Sequence, residues 1–226
     1  MFASTAFALF LTLASGGDGF PHGVVVPKVV CTKAPRFSYA LYLPKSLPAG
    51  PVPVLMLFDP AGDGLGAVRR FQDAAEATGT ALVGSLDSRN GLSWAEFGEI
   101  LPAFWNDVAS RFPGGLRFVG GFSGGARIAL GMTLLHPGEI QGLFSAGAFY
   151  DVGTELPPPE VPVFMVGGDE DRYLPEQRQA NLAMKSARMN SQWIVFNGGH
   201  QWPPDRYYLD GLTWLRQQVR KMKTER

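Results

Sequence analysis

The sequence predicts an α/β protein in which a mostly parallel central sheet of about eight strands is covered by helices. Near-continuous apolar runs such as Val52–Phe58 are typical of strands buried on both faces. These runs alternate with segments whose apolar residues recur at helical spacing, as βαβ units require. With 226 residues, of which 46% are hydrophobic, the chain can bury one large core, so we expect a single domain over residues 18–226.

The strands are predicted from β-branched and apolar runs. Two segments rich in such residues and bounded by proline, 24–31 and 37–43, are interpreted as an opening antiparallel pair. Buried strands are then expected at 52–58, 80–86, 116–121, 141–147, 161–167 and 192–196.

The helices are predicted from apolar stripes. The clearest is 95–112, in which Phe97, Phe104 and Val108 belong to one stripe. Pro137 cannot continue a helix and so ends the one that starts at Gly124. The helices expected in chain order are 66–78, 95–112, 124–136, 175–189 and 205–221.

The first seventeen residues are predicted to be a signal peptide. Residues 2–15 form an uncharged apolar run, and small residues follow it, so cleavage is expected near Gly16 or Gly17 and the mature chain would be secreted or periplasmic. The run is too short to span a bilayer, so no membrane anchor is expected in the mature chain. Because no Lys or Arg precedes the run, the alternative interpretation is a buried first strand or helix of the domain.

Composition argues against several other classes of protein. The 20 basic and 20 acidic residues balance, whereas nucleic-acid-binding proteins normally have a basic excess. The single cysteine, Cys31, cannot form an internal disulfide or a cysteine-rich zinc site. Phosphate-binding and dinucleotide-binding glycine motifs and paired metal-binding histidines are missing, so no cofactor and no metal are expected.

The strongest motif is Gly121-Phe122-Ser123-Gly124-Gly125, between a predicted strand and a predicted helix. A G-x-S-x-G sequence in this context is typical of a nucleophile elbow, whose turn is too tight for side chains on either side of the serine. It predicts that Ser123 is a nucleophile at a helix N-terminus, where negative charge is stabilised.

A serine nucleophile needs a base and an orienting acid. His200 follows the last strand and should lie at the same sheet edge as Ser123, whereas His136 is at the far end of the helix that Ser123 begins. After strand 161–167 the chain offers Asp171, which we favour as the acid, with Asp169 as the first alternative. Glu170 and Asp151 are further alternatives for this role.

Two N–H groups are expected to bind the oxyanion of the reaction. One belongs to Gly124, the residue after the nucleophile. The other should come from the turn after Val52–Phe58, and since Pro60 has no N–H, the donor is expected to be Ala61 or, failing that, Gly62.

These motifs together resemble the α/β-hydrolase fold family, in particular secreted esterases of the polyhydroxyalkanoate-depolymerase and feruloyl-esterase type. The resemblance covers about residues 37–220 and rests on GFSGG, the spacing Asp171-x-x-Leu-Pro175, the GGH at 198–200 and the turn at 59–62. It implies a three-layer sandwich and a serine esterase with Ser123, Asp171 and His200 as its catalytic residues. The chain departs from the family at Asp59-Pro60, where such enzymes usually have His-Gly.

The resemblance also suggests the kind of substrate. Family lids are usually inserted after the strand that corresponds to 141–147, and here the connection is too short for a lid domain. An open site suits short-chain, aromatic or polymeric esters, and the expected partner is therefore a small-molecule or polymeric ester. Peptidase or thioesterase activity and a non-catalytic binding role remain alternatives. Four aromatic residues are candidates for substrate binding: Trp94, Phe122, Tyr173 and Trp202.

Overall fold

The structure, a computed structural model, describes residues 19–149 and 155–224. The predicted signal peptide at 1–17 lies outside these ranges, so its prediction stays open. Within the described residues eight strands form one sheet, and their order is β1-β2-β4-β3-β5-β6-β7-β8. The strands are β1 (Val25–Val30), β2 (Ser38–Tyr42), β3 (Val54–Phe58), β4 (Ala81–Ser85), β5 (Arg117–Phe122), β6 (Gly142–Ala146), β7 (Val163–Gly168) and β8 (Ser191–Phe196).

The sheet is mostly parallel, as predicted. The antiparallel pairings are confined to the first two strands: β1 pairs with β2, and β2 pairs with β4. From β4 to β8 every neighbouring pair is parallel. The chain reverses its direction across the sheet at β3, because β4 lies on one side of it and β5 on the other. The carboxyl ends of β3 and β5 therefore border the crevice where α/β proteins bind ligands.

The helices cover both faces of the sheet and complete a three-layer sandwich. Alternate residues of β3 point to opposite faces: Met56 belongs to a core that includes Phe104 of α3, whereas Leu57 belongs to a second core with Val68 of α1 and Tyr208 of α6. The bounds are α1 (Gly64–Arg70), α2 (Gln72–Thr78), α3 (Trp94–Arg111), α4 (Gly124–Leu135), α5 (Leu174–Ser186) and α6 (Arg206–Thr224). The predicted fold class is thus confirmed.

One predicted helix, 66–78, is two helices in the structure. The break lies at Phe71, whose φ of −93° and ψ of 4° depart from helical geometry and whose N–H donates to the carbonyl of Val68. The Phe71 ring is fully buried, and its centroid lies 4.6 Å from the ring centroid of Tyr208 and 5.1 Å from that of Phe144. The break therefore directs an aromatic side chain into the core.

The remaining elements begin and end within a few residues of the predicted bounds. The largest differences are at the ends of two helices. Helix α5 ends at Ser186 rather than 189, because Arg188 has a left-handed φ of 54°, and α6 continues to Thr224 rather than 221. In the described part of the chain, no helix is both long and apolar enough to cross a bilayer.

Candidate active site

Ser123 lies on the sharp turn between β5 and α4. Its φ of 53° and ψ of −122° form a conformation that residues other than glycine rarely adopt. The turn is fixed by a hydrogen bond in which the Ser123 N–H donates to the Ala146 carbonyl at 2.9 Å. A Cβ atom on Gly125 would lie 2.1 Å from the carbonyl oxygen of Phe58, so the backbone can pass only with glycine at that position. The local geometry is that of a nucleophile elbow.

Three side chains form a continuous chain of hydrogen bonds at the carboxyl edge of the sheet. His200 Nε2 lies 2.9 Å from the Oγ atom of Ser123. On the other side of the ring, Nδ1 lies 2.9 and 3.0 Å from the two carboxylate oxygens of Asp171. Because a carboxylate can only accept, Nδ1 carries the proton in this arrangement and Nε2 is free to accept one from serine. The structure thus brings together the three residues that sequence reasoning assigned to one site.

The acidic loop after β7 contains two carboxylates in different environments. Asp171 is 4% exposed and also accepts the N–H of Tyr173 at 2.8 Å. Asp169 does not contact His200; it accepts the Gly198 N–H at 2.8 Å. Of the alternatives considered for the orienting acid, Asp171 is therefore the one beside the imidazole. Glu170 is exposed, and Asp151 lies outside the described residues.

A second ion pair, which sequence reasoning missed, supports this region. Glu176 of α5 accepts hydrogen bonds from the Arg127 side chain, on α4, and from the N–H of Phe149. The Arg127 guanidinium also lies 5.5 Å from the centroid of the Tyr173 ring. The pair joins the helix that begins after Ser123 to the helix that follows Asp171. No sequence motif marks it, because its members are 49 residues apart.

The turn after β3 differs from the prediction. The Ala61 N–H donates to Oδ1 of Asp59 at 2.7 Å, the Gly62 N–H donates to the Asp59 carbonyl at 3.1 Å, and the Asp63 N–H lies 3.3 Å from the same Oδ1. An aspartate readily closes such a turn on its own backbone. Neither Ala61 nor Gly62 therefore has a free N–H in this conformation, although both were candidates for the second oxyanion donor. The other candidate, Gly124, begins α4, where N–H groups have no intrahelical partner.

Asp59 also links this turn to the loop that carries His200. Its second carboxylate oxygen, Oδ2, accepts the indole N–H of Trp202 at 2.9 Å. The Asp59 side chain is buried, and its three donors replace the water that the carboxylate loses. Asp59 belongs to the Asp59-Pro60 pair at which the sequence departs from the family it resembles, and here it fixes two loops that flank Ser123.

Three of the four predicted aromatic residues form a cluster with His200, in which Phe122 and Tyr173 contact the imidazole and Trp202 contacts Phe122. Phe122 lies 4.8 Å from the imidazole centroid and 5.4 Å from the Trp202 ring, and Tyr173 approaches the imidazole edge-on at 5.0 Å. Phe122 is buried and forms a wall of the site, whereas Tyr173 and Trp202 are partly exposed. Trp94 is 90% exposed, and its ring packs against Phe97 at the start of α3 rather than with this cluster.

Over 19–149 and 155–224 no group of three or more His, Cys, Asp or Glu side chains is arranged to hold a metal ion.

The structure resembles solved serine hydrolases in fold. Similar structures include a ferulic acid esterase (19% identity, TM-score 0.65, covering 86% of this chain and 98% of that chain). They also include the fluorophosphonate-binding serine hydrolase F of Staphylococcus aureus, in a substrate-bound form (13% identity, TM-score 0.65, covering 86% and 99%). A third is a serine-to-alanine mutant of the feruloyl esterase module of Clostridium thermocellum, complexed with sinapinate (17% identity, TM-score 0.62, covering 85% and 88%).

No protein-family model matches the chain, and no curated protein matches it. The structural similarity nevertheless extends over most of this chain and of the three others. The chain therefore has the α/β-hydrolase fold.

Proposed function

We propose that this protein is a serine hydrolase of carboxylic esters, with Ser123 as nucleophile, His200 as base and Asp171 as orienting acid. The observation that carries the proposal is the unbroken series of contacts from Ser123 Oγ through His200 to the Asp171 carboxylate. A serine hydroxyl is unreactive until a base accepts its proton, and this geometry provides that base.

The reaction follows from the roles of these groups. As Ser123 Oγ bonds to the ester carbonyl carbon, His200 Nε2 takes its proton and the carbonyl oxygen becomes an oxyanion. When the carbon–oxygen bond to the alcohol breaks, the same proton passes to the departing alcohol and an acyl-serine remains. A water molecule, deprotonated by His200, then attacks the acyl carbon and releases the carboxylic acid, and Ser123 regains its proton.

The proposed substrates are short-chain, aromatic or polymeric esters. Partly exposed Tyr173 and Trp202 next to His200 offer flat apolar surfaces for an acyl group or an aromatic ring. Two of the similar structures are a ferulic acid esterase and a feruloyl esterase module, and the second was solved with sinapinate, an aromatic acid. Feruloyl esters are therefore the first compounds to test.

The nucleophile is tested by Ser123→Ala, with Ser110→Ala as the matched control because Ser110 is an exposed serine of α3. We expect the wild type and the control to release p-nitrophenol from short-chain esters and to bind a fluorophosphonate probe covalently. Ser123→Ala should do neither, because it removes the hydroxyl that lies 2.9 Å from His200 Nε2. Undiminished turnover by Ser123→Ala would refute the assignment of the nucleophile.

The same probe separates the alternative functions. A wild-type protein that binds no fluorophosphonate and cleaves no ester is a binding protein rather than a hydrolase. If the probe reacts, a panel of oxygen esters, thioesters and amides ranked by kcat/KM decides between an esterase, a thioesterase and a peptidase.

A further inference from the structure

The site needs a second oxyanion donor, and the turn after β3 does not offer one. The fold normally takes this donor from that turn. Here Pro60 has no N–H, and the N–H groups of Ala61, Gly62 and Asp63 all donate to Asp59. With the N–H of Gly124 alone, the developing charge has one of the two donors that such a site usually provides.

The side chain of Asn90 lies against Gly124, whose N–H is the first expected oxyanion donor. A Cβ atom built on Gly124 would lie 1.9 Å from Oδ1 and 3.1 Å from Nδ2 of Asn90, so the carboxamide packs directly on Gly124. Asn90 is exposed, so solvent surrounds part of its side chain. It can therefore turn about χ2 to present Nδ2 at low cost, since this torsion is broad in asparagine.

The backbone of Asn90 is held in place by its neighbours. Its N–H donates to the Pro60 carbonyl at 2.8 Å, which joins the loop after β4 to the turn after β3. A few residues later, Ser93 and Glu96 form a capping box that fixes the start of α3. A carboxamide on a fixed backbone loses little freedom when it binds a ligand, as a preorganised donor requires.

We infer that the Asn90 carboxamide is the second oxyanion donor of the site, an inference that rests on the proposed ester hydrolysis. When Ser123 Oγ bonds to the carbonyl carbon, the electron pair of the C=O π bond moves to the oxygen. That oxygen then accepts hydrogen bonds from the Gly124 N–H and from Asn90 Nδ2–H, and both are released when the carbonyl re-forms. Asn90 stays neutral and transfers no proton.

The test compares three variants of the full-length protein. Asn90→Ala removes the donor, Asn90→Asp keeps the shape but replaces the donor with an acceptor, and Arg89→Ala alters an exposed neighbour as the matched control. For a short-chain p-nitrophenyl ester we expect kcat to fall about 10²- to 10³-fold in Asn90→Ala and at least as far in Asn90→Asp. KM should stay near the wild-type value in both, because the bond forms only in the transition state.

Other outcomes have definite meanings. Wild-type kcat in Asn90→Ala, or a higher KM with unchanged kcat, would overturn the role of Asn90 and leave ester hydrolysis intact. A wild-type protein that neither turns over esters nor binds a fluorophosphonate would overturn both proposals. If Asn90→Ala melts at a lower temperature, the comparison of Asn90→Asp with Asn90→Gln decides: recovery of part of kcat by the longer amide supports a donor, and equal losses contradict it.

Discussion

Ser123 adopts a left-handed backbone conformation because the chain must turn from β5 into α4 at that residue. A non-glycine residue in such a conformation costs on the order of 1–3 kcal/mol, which the surrounding packing has to offset. The hydrogen bond to Ala146 and the close contact of Gly125 with Phe58 are the interactions that hold it. The strain keeps Oγ exposed toward His200 rather than folded back on the helix.

The two aspartates of the loop after β7 make a matched pair of variants. In Asp171→Asn an amide would donate to Nδ1 of His200, so the ring would carry its proton on Nε2 and could not accept the proton of Ser123. We expect kcat to fall about 10⁴-fold. Asp169→Asn keeps an oxygen that can accept the Gly198 N–H, so its kcat should stay close to the wild type. Steady-state kinetics on one ester checks both, and equal losses would contradict the assignment of the acid.

Some residues of the site could be predicted from the sequence and others could not. Ser123, Asp171 and His200 each follow a predicted strand, and parallel strands bring their carboxyl ends to one edge, so their proximity was predictable. The hydrogen bond that engages the Ala61 N–H could not be predicted, because it depends on whether the Asp59 side chain folds back on its own turn. The position of Asn90 could not be predicted either, since nothing in the sequence indicates that its side chain packs on Gly124.

Helix α3 is attached to the start of the sheet by a buried carboxylate. Asp107 accepts hydrogen bonds from the Thr32 N–H at 2.7 Å, from the Tyr39 hydroxyl at 2.8 Å and from Arg111 at 2.8 Å. Burial alone would raise the pKa of Asp107, but the bonds from Arg111, Thr32 and Tyr39 outweigh it and lower the pKa. One ionised group on α3 thus joins this helix to Thr32 and to Tyr39 of β2, which are 75 and 68 residues away in the sequence.

Asp107→Asn is expected to lower the free energy of unfolding at pH 7 by about 3 kcal/mol, since removing the charge leaves Arg111 unpaired in a partly buried position. Because the folded-state pKa of Asp107 is lowered, its contribution is fully present above the unfolded pKa of about 4 and is lost as pH falls through the folded value. The difference in the free energy of unfolding between the variant and the wild type, measured by urea titration, should therefore become smaller below pH 4.

The control for this comparison lies on the same helix. Glu99→Gln removes an exposed ion pair with Arg36, and we expect it to change the free energy of unfolding by no more than about 1 kcal/mol. If Glu99→Gln lowered the free energy of unfolding as much as Asp107→Asn does, the charge on α3 rather than the buried hydrogen bonds would determine the stability.

At the level of elements, hydrophobic periodicity predicted whether a segment is a helix or a strand better than it predicted the residues at which the element begins and ends. The break at Phe71 has neither glycine nor proline to indicate it, and it arises because the ring packs against Tyr208 and Phe144 from distant parts of the chain. Tertiary packing of this kind overrides local propensity.

In the whole molecule, strand order decides where chemistry can occur. The alternation of strands and helices predicted a parallel sheet with two covered faces, but it could not specify that β5 lies on the opposite side of β3 from β4. That reversal opens the crevice in which Ser123 follows β5 and the Asp59 turn follows β3.

The single cysteine offers a probe of global stability. Cys31 is 1% exposed, and burial is the main cause that raises the pKa of its thiol to about 11. At pH 8 we expect iodoacetamide to modify the native protein much more slowly than the urea-unfolded chain. In the native protein the reagent cannot reach the buried Cys31 side chain, and little of the thiol is ionised to the reactive thiolate. The modified fraction, measured by mass shift against urea concentration, should follow the change in tryptophan fluorescence. Complete modification without urea would show that the core around Cys31 opens locally.

Asp59 receives hydrogen bonds from its own turn and from Trp202, so the loops on the two sides of Ser123 share a single carboxylate. Substitutions in these loops should then be strongly non-additive, because a change at one position alters what the other can tolerate. In directed evolution toward new esters, single substitutions at Asp59 or Trp202 should therefore yield few active clones. Libraries that randomise both codons together should yield active clones more often.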